Sequence, residues 1–510
     1  MEREFDIVII GSGLGGLQCG YILADEGYSV CILEKNRQYG GNLQTFVRDK
    51  KIFDTGVHYI GGLDEGQNLN SFFKYFNIMD DLKLQKLDED AFDLISFGED
   101  ENVYPYAQGY DNFIEKLSAY FPEEREAIVH FCDTLRDIVS KFPMYSLKPD
   151  KVDDQYFETL QIGLIDYLES ITSNKKLQSV LAGNNLLYAG RKESAPLYVH
   201  ALVLNSYIES SYKCIGGGAQ IERLLSKNLK AKGVVMRNYA EVTGFNIEDK
   251  LVKSVTINGG EEKVYGKKFI SNIPPAVTVN MIDKSFLRKS YIKRINSLPN
   301  TPSIFILYGV LKEKTFKNIN SNIYHFESDS PWDSINYPED DFGNGFALFF
   351  NKDAKNPEYC DSFSLMTYMN FSEVEQWKDT FHTIPHHRTE RDEEYVKFKE
   401  EKATVLFKKL YDRLPEMEGC IQSYTTSTPL SFRDYIGAVE GSLYGIEKDY
   451  RNPLRTFIPP QTKVDNLLLT GQNLTLHGIL GVTISAFITC SSIVDIEKIL
   501  EKVNAQTTSN

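Results

Sequence analysis

The sequence lacks any strongly basic segment. Its 510 residues include 56 Lys and Arg against 71 Asp and Glu, for a formal net charge of −15. This balance argues against nucleic acid as a partner and against electrostatic capture by anionic lipid, so any membrane contact would have to be apolar. With 42% hydrophobic and 12% aromatic residues, the chain is also neither disordered nor collagen-like. We therefore expect a folded protein with a substantial core.

Cysteine is scarce and unpatterned. The seven cysteines are scattered and never form a C-x-x-C pair, which is typical of reduced thiols in a reducing compartment. The chain opens on strand-forming residues from Phe5 with no signal-peptide pattern, so the expected location is the cytoplasm. The longest uncharged stretch, 470–494, contains Gly, Ser, Thr, Asn and His and predicts a buried helix rather than a membrane span. The sequence leaves the oligomeric state open.

The first informative motif is a glycine cluster between two predicted strands. Residues 5–34 read as strand, glycine turn, helix and second strand, and that second strand ends at Glu34. Such glycines allow a tight turn, close approach of backbone to a pyrophosphate, and close packing of helix on strand, while Glu34 is placed to accept hydrogen bonds from a ribose. The segment therefore predicts a dinucleotide site. Its glycines are Gly11, Gly13, Gly15 and Gly16.

The residues after Glu34 indicate which dinucleotide is bound. Lys35 leads to the pair Gly40-Gly41, then Asn42, and further on to the string D-T-G-V-H-Y-I-G at 54–61. This pattern resembles the FAD-binding fold of amine oxidases, phytoene desaturases and Rab escort proteins. Within that group, residues 53–61 are most similar to the retinol saturases (all-trans-retinol 13,14-reductases). Amine oxidases usually carry Arg at the position of Asn42, which argues against amine oxidation.

The resemblance implies an α/β fold made of two discontinuous parts. One is a Rossmann-type FAD-binding domain of the glutathione reductase and amine oxidase type, and the other is an α+β substrate domain. We assign the FAD domain to residues 1–85, 205–285 and 455–510, and the substrate domain to residues 86–204 and 286–454. Short alternating runs between residues 233 and 272 predict an antiparallel ribbon after the glycine loop at 216–218. The resemblance places the backbone of Val242 against the adenine. No second nucleotide motif, and hence no nicotinamide domain, is visible.

The C-terminal motif should complete the flavin site. A strand at 466–469 precedes Gly471-Gln472, and residues 477–482 open a helix expected to reach about Leu500. A helix N-terminus directed inward stabilises the negative charge of a reduced flavin. The resemblance implies cofactor contacts at Gly471, Gln472, Gly481 and Val482. Many flavoproteins have Asp where Gln472 stands, but Gln can still donate and accept hydrogen bonds.

The middle of the chain should hold the substrate. A helical pattern covers 117–142, and apolar runs at 303–308 and 346–350 predict sheet strands that would floor a long apolar cavity. Residues 428–445 fit either a turn-rich linker or a loop facing the flavin, and in the second case Tyr444 would face the ring.

By resemblance, the activity is saturation of one carbon–carbon double bond of an apolar retinoid or carotenoid-like polyene by hydride from reduced FAD. His58 and Tyr444 are the candidate proton donors, and NAD(P)H is one candidate electron source. A carotenoid desaturase or cis–trans isomerase stays open, as does a non-enzymatic escort protein. No metal is expected, because Pro385 prevents a helix among His382, His386 and His387 and no cysteine or carboxylate set completes a site.

Overall fold

The computed structural model describes residues 4–149, 154–382 and 389–505. Two large sheets organise the chain, and helices cover them. The strands are β1 (Glu4–Ile10), β2 (Val30–Leu33), β3 (Thr45–Arg48), β4 (Lys51–Asp54), β5 (Ile60–Gly61), β6 (Leu84–Lys86), β7 (Asp93–Phe97), β8 (Tyr104–Tyr106), β9 (Ser211–Cys214), β10 (Val235–Arg237), β11 (Val242–Glu248), β12 (Leu251–Ile257), β13 (Lys263–Ser271), β14 (Ser303–Leu311), β15 (Asn322–Phe326), β16 (Gly345–Lys352), β17 (Cys360–Met369), β18 (Ile421–Ser427) and β19 (Leu467–Leu469). The helices are α1 (Leu14–Asp25), α2 (Asn68–Tyr75), α3 (Tyr110–Tyr120), α4 (Arg125–Ser140), α5 (Asp154–Thr159), α6 (Leu164–Ile171), α7 (Lys175–Leu181), α8 (Leu197–Glu209), α9 (Ala219–Ala231), α10 (Pro275–Asn280), α11 (Lys289–Asn296), α12 (Glu393–Arg413), α13 (Pro429–Ile436), α14 (Pro453–Thr456), α15 (Gly478–Cys490) and α16 (Ile496–Ala505).

The first sheet is the predicted Rossmann core. Strands β10, β2, β1, β13 and β19 run parallel in this order, and the antiparallel pair β12 and β11 extends from the first half of β13. Apart from Glu4 and Asp6 in the first half of β1, the β1 and β2 side chains are apolar and buried, as expected for a parallel sheet covered on both faces. The expected α/β fold class is confirmed.

The predicted antiparallel ribbon is partly wrong. Only β11, β12 and the start of β13 form it, whereas β10 pairs in parallel with β2, and the end of β13 pairs in parallel with β1 and β19. Alternating short runs have the same appearance in either arrangement, because the pattern of one strand does not specify the direction of its neighbour.

The second sheet provides the expected floor. Its strand order is β18-β14-β17-β16-β15-β7-β8, antiparallel throughout except for the parallel pair of β15 and β7. The predicted strands at 303–308 and 346–350 are β14 and β16. Both are nearly fully buried along their length. Because successive side chains of a strand point to opposite faces, this burial means that both faces of the sheet are covered by other parts of the protein.

Two predicted long helices are each interrupted. The pattern at 117–142 is divided between α3 and α4, because Phe121-Pro122 breaks the helix between them. The C-terminal helix ends at Cys490, and α16 begins only at Ile496. In the part of the chain that the structure describes, no helix has both the length and the apolarity needed to cross a membrane.

The two ends of the chain meet in the first sheet. Strand β19 pairs with β13, which pairs with β1, and α15 packs on α1, where Gln18 Nε2 donates to Thr483 Oγ1 at 2.7 Å. This arrangement brings the first and last sequence motifs to the same edge of the sheet, at the carboxyl ends of the parallel strands. The domain boundaries stay a prediction.

Candidate active site

The glycine loop between β1 and α1 forms one wall of a cleft at the sheet edge. A Cβ at Gly15 would lie 2.8 Å from the Oδ1 of Asn272 and 3.3 Å from the Cα of Gly471. Only glycine therefore allows the first and last motifs to approach this closely. Gly16 does not line the cleft. A Cβ at this position would lie 2.2 Å from the carbonyl oxygen of Gly11, so this glycine serves the packing of α1 on the sheet.

Glu34 sits buried at the end of β2, as predicted. One of its carboxylate oxygens accepts from the Ser12 amide at 3.1 Å and from the Ser12 hydroxyl at 2.6 Å, and the other accepts from the Asn36 amide at 2.9 Å. These bonds fix the carboxylate at the cleft wall. The oxygen that accepts from Asn36 keeps one lone pair free for a hydroxyl of a ribose.

Asn272 is a cleft residue that sequence reasoning missed. It follows β13, and its side chain lies between the two glycine motifs, with Nδ2 donating to the Gly11 carbonyl at 3.4 Å. A Cβ on Gly471, whose φ is +99°, would come within 2.7 Å of its Oδ1. The available signal was the position of Asn272 directly after a strand, but recognising it required knowing that this strand is the parallel neighbour of β1.

The C-terminal motif forms the opposite wall. Gly471 and Gln472 lie in the turn after β19, and α15 begins at Gly478 with Ile479 and Val482 facing the cleft. The positive end of a helix dipole therefore lies at this end of the cleft. Gly481 faces away from it: a Cβ there would meet Leu476 at 2.6 Å.

The cleft encloses about 1530 Å³ free of atoms, its open mouth included. The end of α13 and the two residues after it, 435–438, also line the cleft; they belong to the stretch 428–445, for which the sequence fits either a linker or a flavin-facing loop. The predicted cofactor residues that line this cleft are Gly11, Gly13, Gly15, Glu34, Lys35, Gly40, Gly41, Asn42, Val242, Gly471, Gln472 and Val482.

An inner chamber of about 980 Å³ adjoins the cleft. Its floor comes from the second sheet, through Ile304 on β14, Phe349 on β16 and Met366 on β17. The two predicted catalytic residues, His58 and Tyr444, both line it. The residues shared by cleft and inner chamber are Gly56, Val57, Leu443, Tyr444, Gly478 and Ile479.

His58 is held in the inner chamber as a neutral imidazole. Its ring stacks on Phe349 with centroids 4.3 Å apart and planes 4° from parallel. Burial, reinforced by the positive charge of Lys213, lowers the pKa of His58 to about 3. Its Nε2 is shielded from water and has no hydrogen-bond partner among the described residues, which leaves a polar atom for a ligand to satisfy.

Tyr444 stands where the cleft meets the inner chamber. Its hydroxyl donates to the Leu186 carbonyl at 2.9 Å, and its ring lies 4.5 Å from that of His477, whose Nε2 hydrogen-bonds to the Leu187 carbonyl at 3.0 Å. Burial raises the pKa of Tyr444. The phenol therefore keeps its proton throughout the physiological range.

A polar network lies behind the inner chamber. Tyr59 donates to Asp93 at 2.9 Å and shares a hydrogen bond of 2.8 Å with Tyr324, while Asn322 donates to Asp93 at 2.8 Å. Burial raises the pKa of Asp93 to about 7 and lowers that of Lys213 to about 8. These partners hold the Tyr59 ring against the chamber and stack it on Tyr207, 4.3 Å away.

An outer chamber of about 1390 Å³ continues from the inner one. It is predominantly apolar and is lined by residues 142–149 after α4, by α5, α8 and α15, and by the segment around α14. The two chambers share the residues Tyr145, Leu202, Leu476, Gly481 and Ile484.

No metal site accompanies this arrangement in residues 4–149, 154–382 and 389–505, where no group of three or more metal-ligating side chains is found. His386 and His387 lie outside the described residues.

The cleft fits FAD on its own geometry. Backbone from three distant segments meets only because glycines leave room, a fixed buried carboxylate stands at the end of β2, and a helix N-terminus lies at the far end. The fold and this cleft define a class: a Rossmann-type, FAD-binding oxidoreductase fold with a second sheet beneath an apolar chamber.

The comparisons agree. Residues 9–76 match the model of the NAD(P)-binding Rossmann-like domain. The chain is 26% identical to the all-trans-retinol 13,14-reductase of Danio rerio, over 97% of this chain and 86% of that protein, and 24% identical to prolycopene isomerase 2, chloroplastic, of an Oncidium hybrid cultivar, over 87% and 75%. Cyclohexylamine oxidase of Brevibacterium oxydans shares the fold, with a TM-score of 0.60, 12% identity and 99% of each chain covered. These similarities extend over most of the chain and support its resemblance to the retinol saturase and carotenoid desaturase-isomerase superfamily.

Proposed function

We propose that this protein is an FAD-dependent oxidoreductase that saturates one carbon–carbon double bond of an apolar polyene, retinoid or carotenoid-like. The observation that carries the proposal is that the cofactor cleft adjoins an apolar inner chamber, with Leu443, Tyr444 and Ile479 lining both. A long apolar molecule in that chamber lies beside the end of the cleft nearest the α15 N-terminus. The full-length similarity to retinol reductases and prolycopene isomerases supports the same chemistry.

The residues of the chain position the substrate and supply a proton. Reduced FAD, when bound, supplies a hydride, and a proton must reach the neighbouring carbon for the double bond to be saturated. The β-sheet floor and the aromatic walls orient the polyene and exclude water, so that the reacting carbons are held in place. Tyr444 holds the proton at the boundary of cleft and chamber.

Of the two predicted proton donors, we propose Tyr444. Its phenol keeps its proton at neutral pH; because burial raises its pKa, it is a weak acid and can transfer the proton only to a carbon that has gained strong negative charge. His58, with a pKa of about 3, is an uncharged imidazole at neutral pH and therefore lacks the extra proton of an imidazolium acid. We assign it instead to contact with the polyene, through its ring and Nε2.

The decisive experiment measures the mass of the product. The purified protein should be yellow, with flavin absorbance, and the anaerobically reduced protein should convert retinol or a candidate carotenoid into a product heavier by two hydrogens. A product lighter by two hydrogens would identify a desaturase, and a product of unchanged mass but altered retention would identify an isomerase. A colourless protein would favour a non-enzymatic escort.

The proposed partner is an apolar small molecule taken up at a membrane surface from the cytoplasm. Beside the outer chamber, Leu454 is 63% exposed and Phe457 is 37% exposed, next to the chamber residue Pro453. The net negative charge disfavours electrostatic attraction to anionic lipid, so a membrane contact would have to be apolar, and exposed apolar side chains of this kind fit such a contact. Flotation with neutral vesicles tests this membrane contact: we expect Leu454→Ser to reduce the fraction of protein bound to the vesicles.

NAD(P)H is a candidate electron donor, and stopped-flow bleaching of the flavin by NAD(P)H would test this role.

A further inference from the structure

The outer chamber has an unusual charge pattern. In the part of the chain that the structure describes, its only charged lining residues are Lys148 and Lys448, although the whole protein carries a net charge of −15. Lys148 is exposed, whereas Lys448 is half-buried. An apolar cavity whose charged groups are all positive favours an apolar ligand with a negative end.

Among the residues that the structure describes, Lys448 has no acidic partner. Its ammonium donates to three backbone carbonyls, those of Leu474 at 2.9 Å, Thr456 at 3.1 Å and Asn473 at 3.5 Å, and no carboxylate within the described residues forms an ion pair with it. The neighbouring acids in sequence are already engaged: Glu447 pairs with Arg191 at 3.2 Å, and Asp449 pairs with Arg451 at 2.8 Å.

A buried charge without a counter-ion is costly, and burial lowers the pKa of Lys448 to about 7. The contact with the Asn473 carbonyl is at the limit of hydrogen bonding, so one N–H is available to a better acceptor. A carboxylate would supply both the acceptor and the missing negative charge.

We propose that the outer chamber binds the far end of the substrate and that this end is a carboxylate paired with Lys448. The proposal rests on the proposed function, because it assigns the reacting part of the same molecule to the inner chamber. Lys148 is exposed to solvent, which leaves Lys448 as the lysine that matches a single negative charge inside the chamber, and the apolar walls exclude a polar chain. The substrate class is therefore a linear, apolar polyene acid.

The test compares two probes that differ only at this end, all-trans-retinoic acid and all-trans-retinol, by equilibrium dialysis against the FAD-loaded protein at pH 6.5. Lys448→Met removes the charge and keeps the length, and Lys448→Arg keeps the charge. We expect the Kd of the acid to rise about tenfold or more in Lys448→Met, with that of the alcohol changing less than about threefold, and Lys448→Arg to retain most of the affinity. Lys253→Met, an exposed lysine on β12, is the matched control.

A lysine that only fastens the backbone would change the stability of the protein and leave the ratio of the two Kd values unchanged, which would overturn the proposal. If both probes bind and only the ratio fails, the proposed function stands. If neither probe binds to the yellow wild-type protein, both proposals are wrong.

Wild-type protein supplies a second test that needs no variant. The carboxylate stays ionised above pH 6, so its binding above the pKa of Lys448 requires uptake of one proton. The Kd of the acid should therefore rise from pH 7 to pH 9 by up to about tenfold per pH unit, and that of the alcohol should not. Other titratable groups face the same region. His477 is neutral above its pKa of about 4, and burial raises the pKa values of the three tyrosine hydroxyls, so these four groups keep one protonation state from pH 7 to pH 9. The tyrosines are Tyr145, Tyr156 and Tyr198, and the remaining group is the exposed Lys148. A constant ratio from pH 6 to pH 9 would contradict the proposal.

Discussion

The cofactor cleft and the two chambers beyond it are built in different ways. Glycine backbone and a few fixed polar groups form the cleft, and they come from short segments that follow strands. The chambers are formed by apolar side chains from many helices and strands, with few polar atoms among them. Backbone contacts tolerate almost no substitution where a Cβ has no room, whereas apolar walls tolerate changes that conserve volume. The backbone of the cleft therefore restricts which cofactor can bind, and under the proposed function the side chains of the chambers determine which substrate can bind.

The largest effect should come from closing the cleft. In Gly15→Val, the new side chain would meet Asn272 and Gly471, so we expect roughly 100-fold weaker FAD binding and no detectable turnover. Flavin absorbance per mole of purified protein measures the outcome. The control is Gly244→Val on β11, where a Cβ has no atom within 4 Å. A yellow Gly15→Val protein would place the dinucleotide elsewhere.

Removing the proton at the junction should affect turnover without affecting the cofactor. Tyr444→Phe loses the hydroxyl and keeps the ring beside His477, so we expect turnover to fall on the order of 100-fold with FAD still bound. Single-turnover bleaching and reoxidation of the flavin with substrate would measure it. Tyr424→Phe, on an exposed tyrosine of β18, is the matched control. If Tyr444→Phe reacts at the wild-type rate, the proton comes from another group.

Filling the outer chamber should alter selectivity for length. Ile488 on α15 lines this chamber and not the inner one, so Ile488→Trp should weaken the binding of retinol about tenfold and that of the shorter alcohol geraniol much less. Equilibrium dialysis of both alcohols provides the comparison. Val405→Trp, on the exposed face of α12, controls for the added indole. Equal losses for the two alcohols would mean that substrates do not reach the outer chamber.

The smallest effect should come from His58. In wild type the folded-state pKa is about 3 against an ordinary value of 6.5, so the unfolded chain binds more protons below pH 6.5. Stability is then lost as pH falls from 6.5 towards 3, with a slope on the order of 1 kcal/mol per pH unit. His58→Phe removes this contribution and retains the stacking on Phe349, so its Tm should fall less than that of wild type between pH 6.5 and 4.5.

Turnover of His58→Phe at pH 7 separates two roles for this residue. We expect a loss of only about threefold, since the ring contact is preserved and Tyr444 supplies the proton. A loss as large as that of Tyr444→Phe would restore His58 as the proton donor.

Most of the cleft was predictable because each of its parts is local in sequence. Each part can be recognised from a few consecutive residues, because its local backbone geometry requires those residue types. The parts are the turn after β1, the acid at the end of β2 and the glycine turn after β19. Asn272 was missed because its role depends on which strand lies beside β1. Gly481 was placed in the cleft by its position in a motif, yet the rotation of α15 turns it towards Leu476. The pairing of β10 with β2 was also misjudged, since strand direction is set by the partner.

The sequence by itself determined the cofactor class and the α/β fold, because glycine spacing, a terminal acid and apolar runs act through the backbone of a few residues each. Only the tertiary structure decided which side chains form the chambers, how Tyr444 is placed between cleft and chamber, and why Lys448 forms no ion pair with any carboxylate among the described residues. Cavities and buried charges arise where segments distant in sequence fail to fill space or to pair, and no single segment records that outcome.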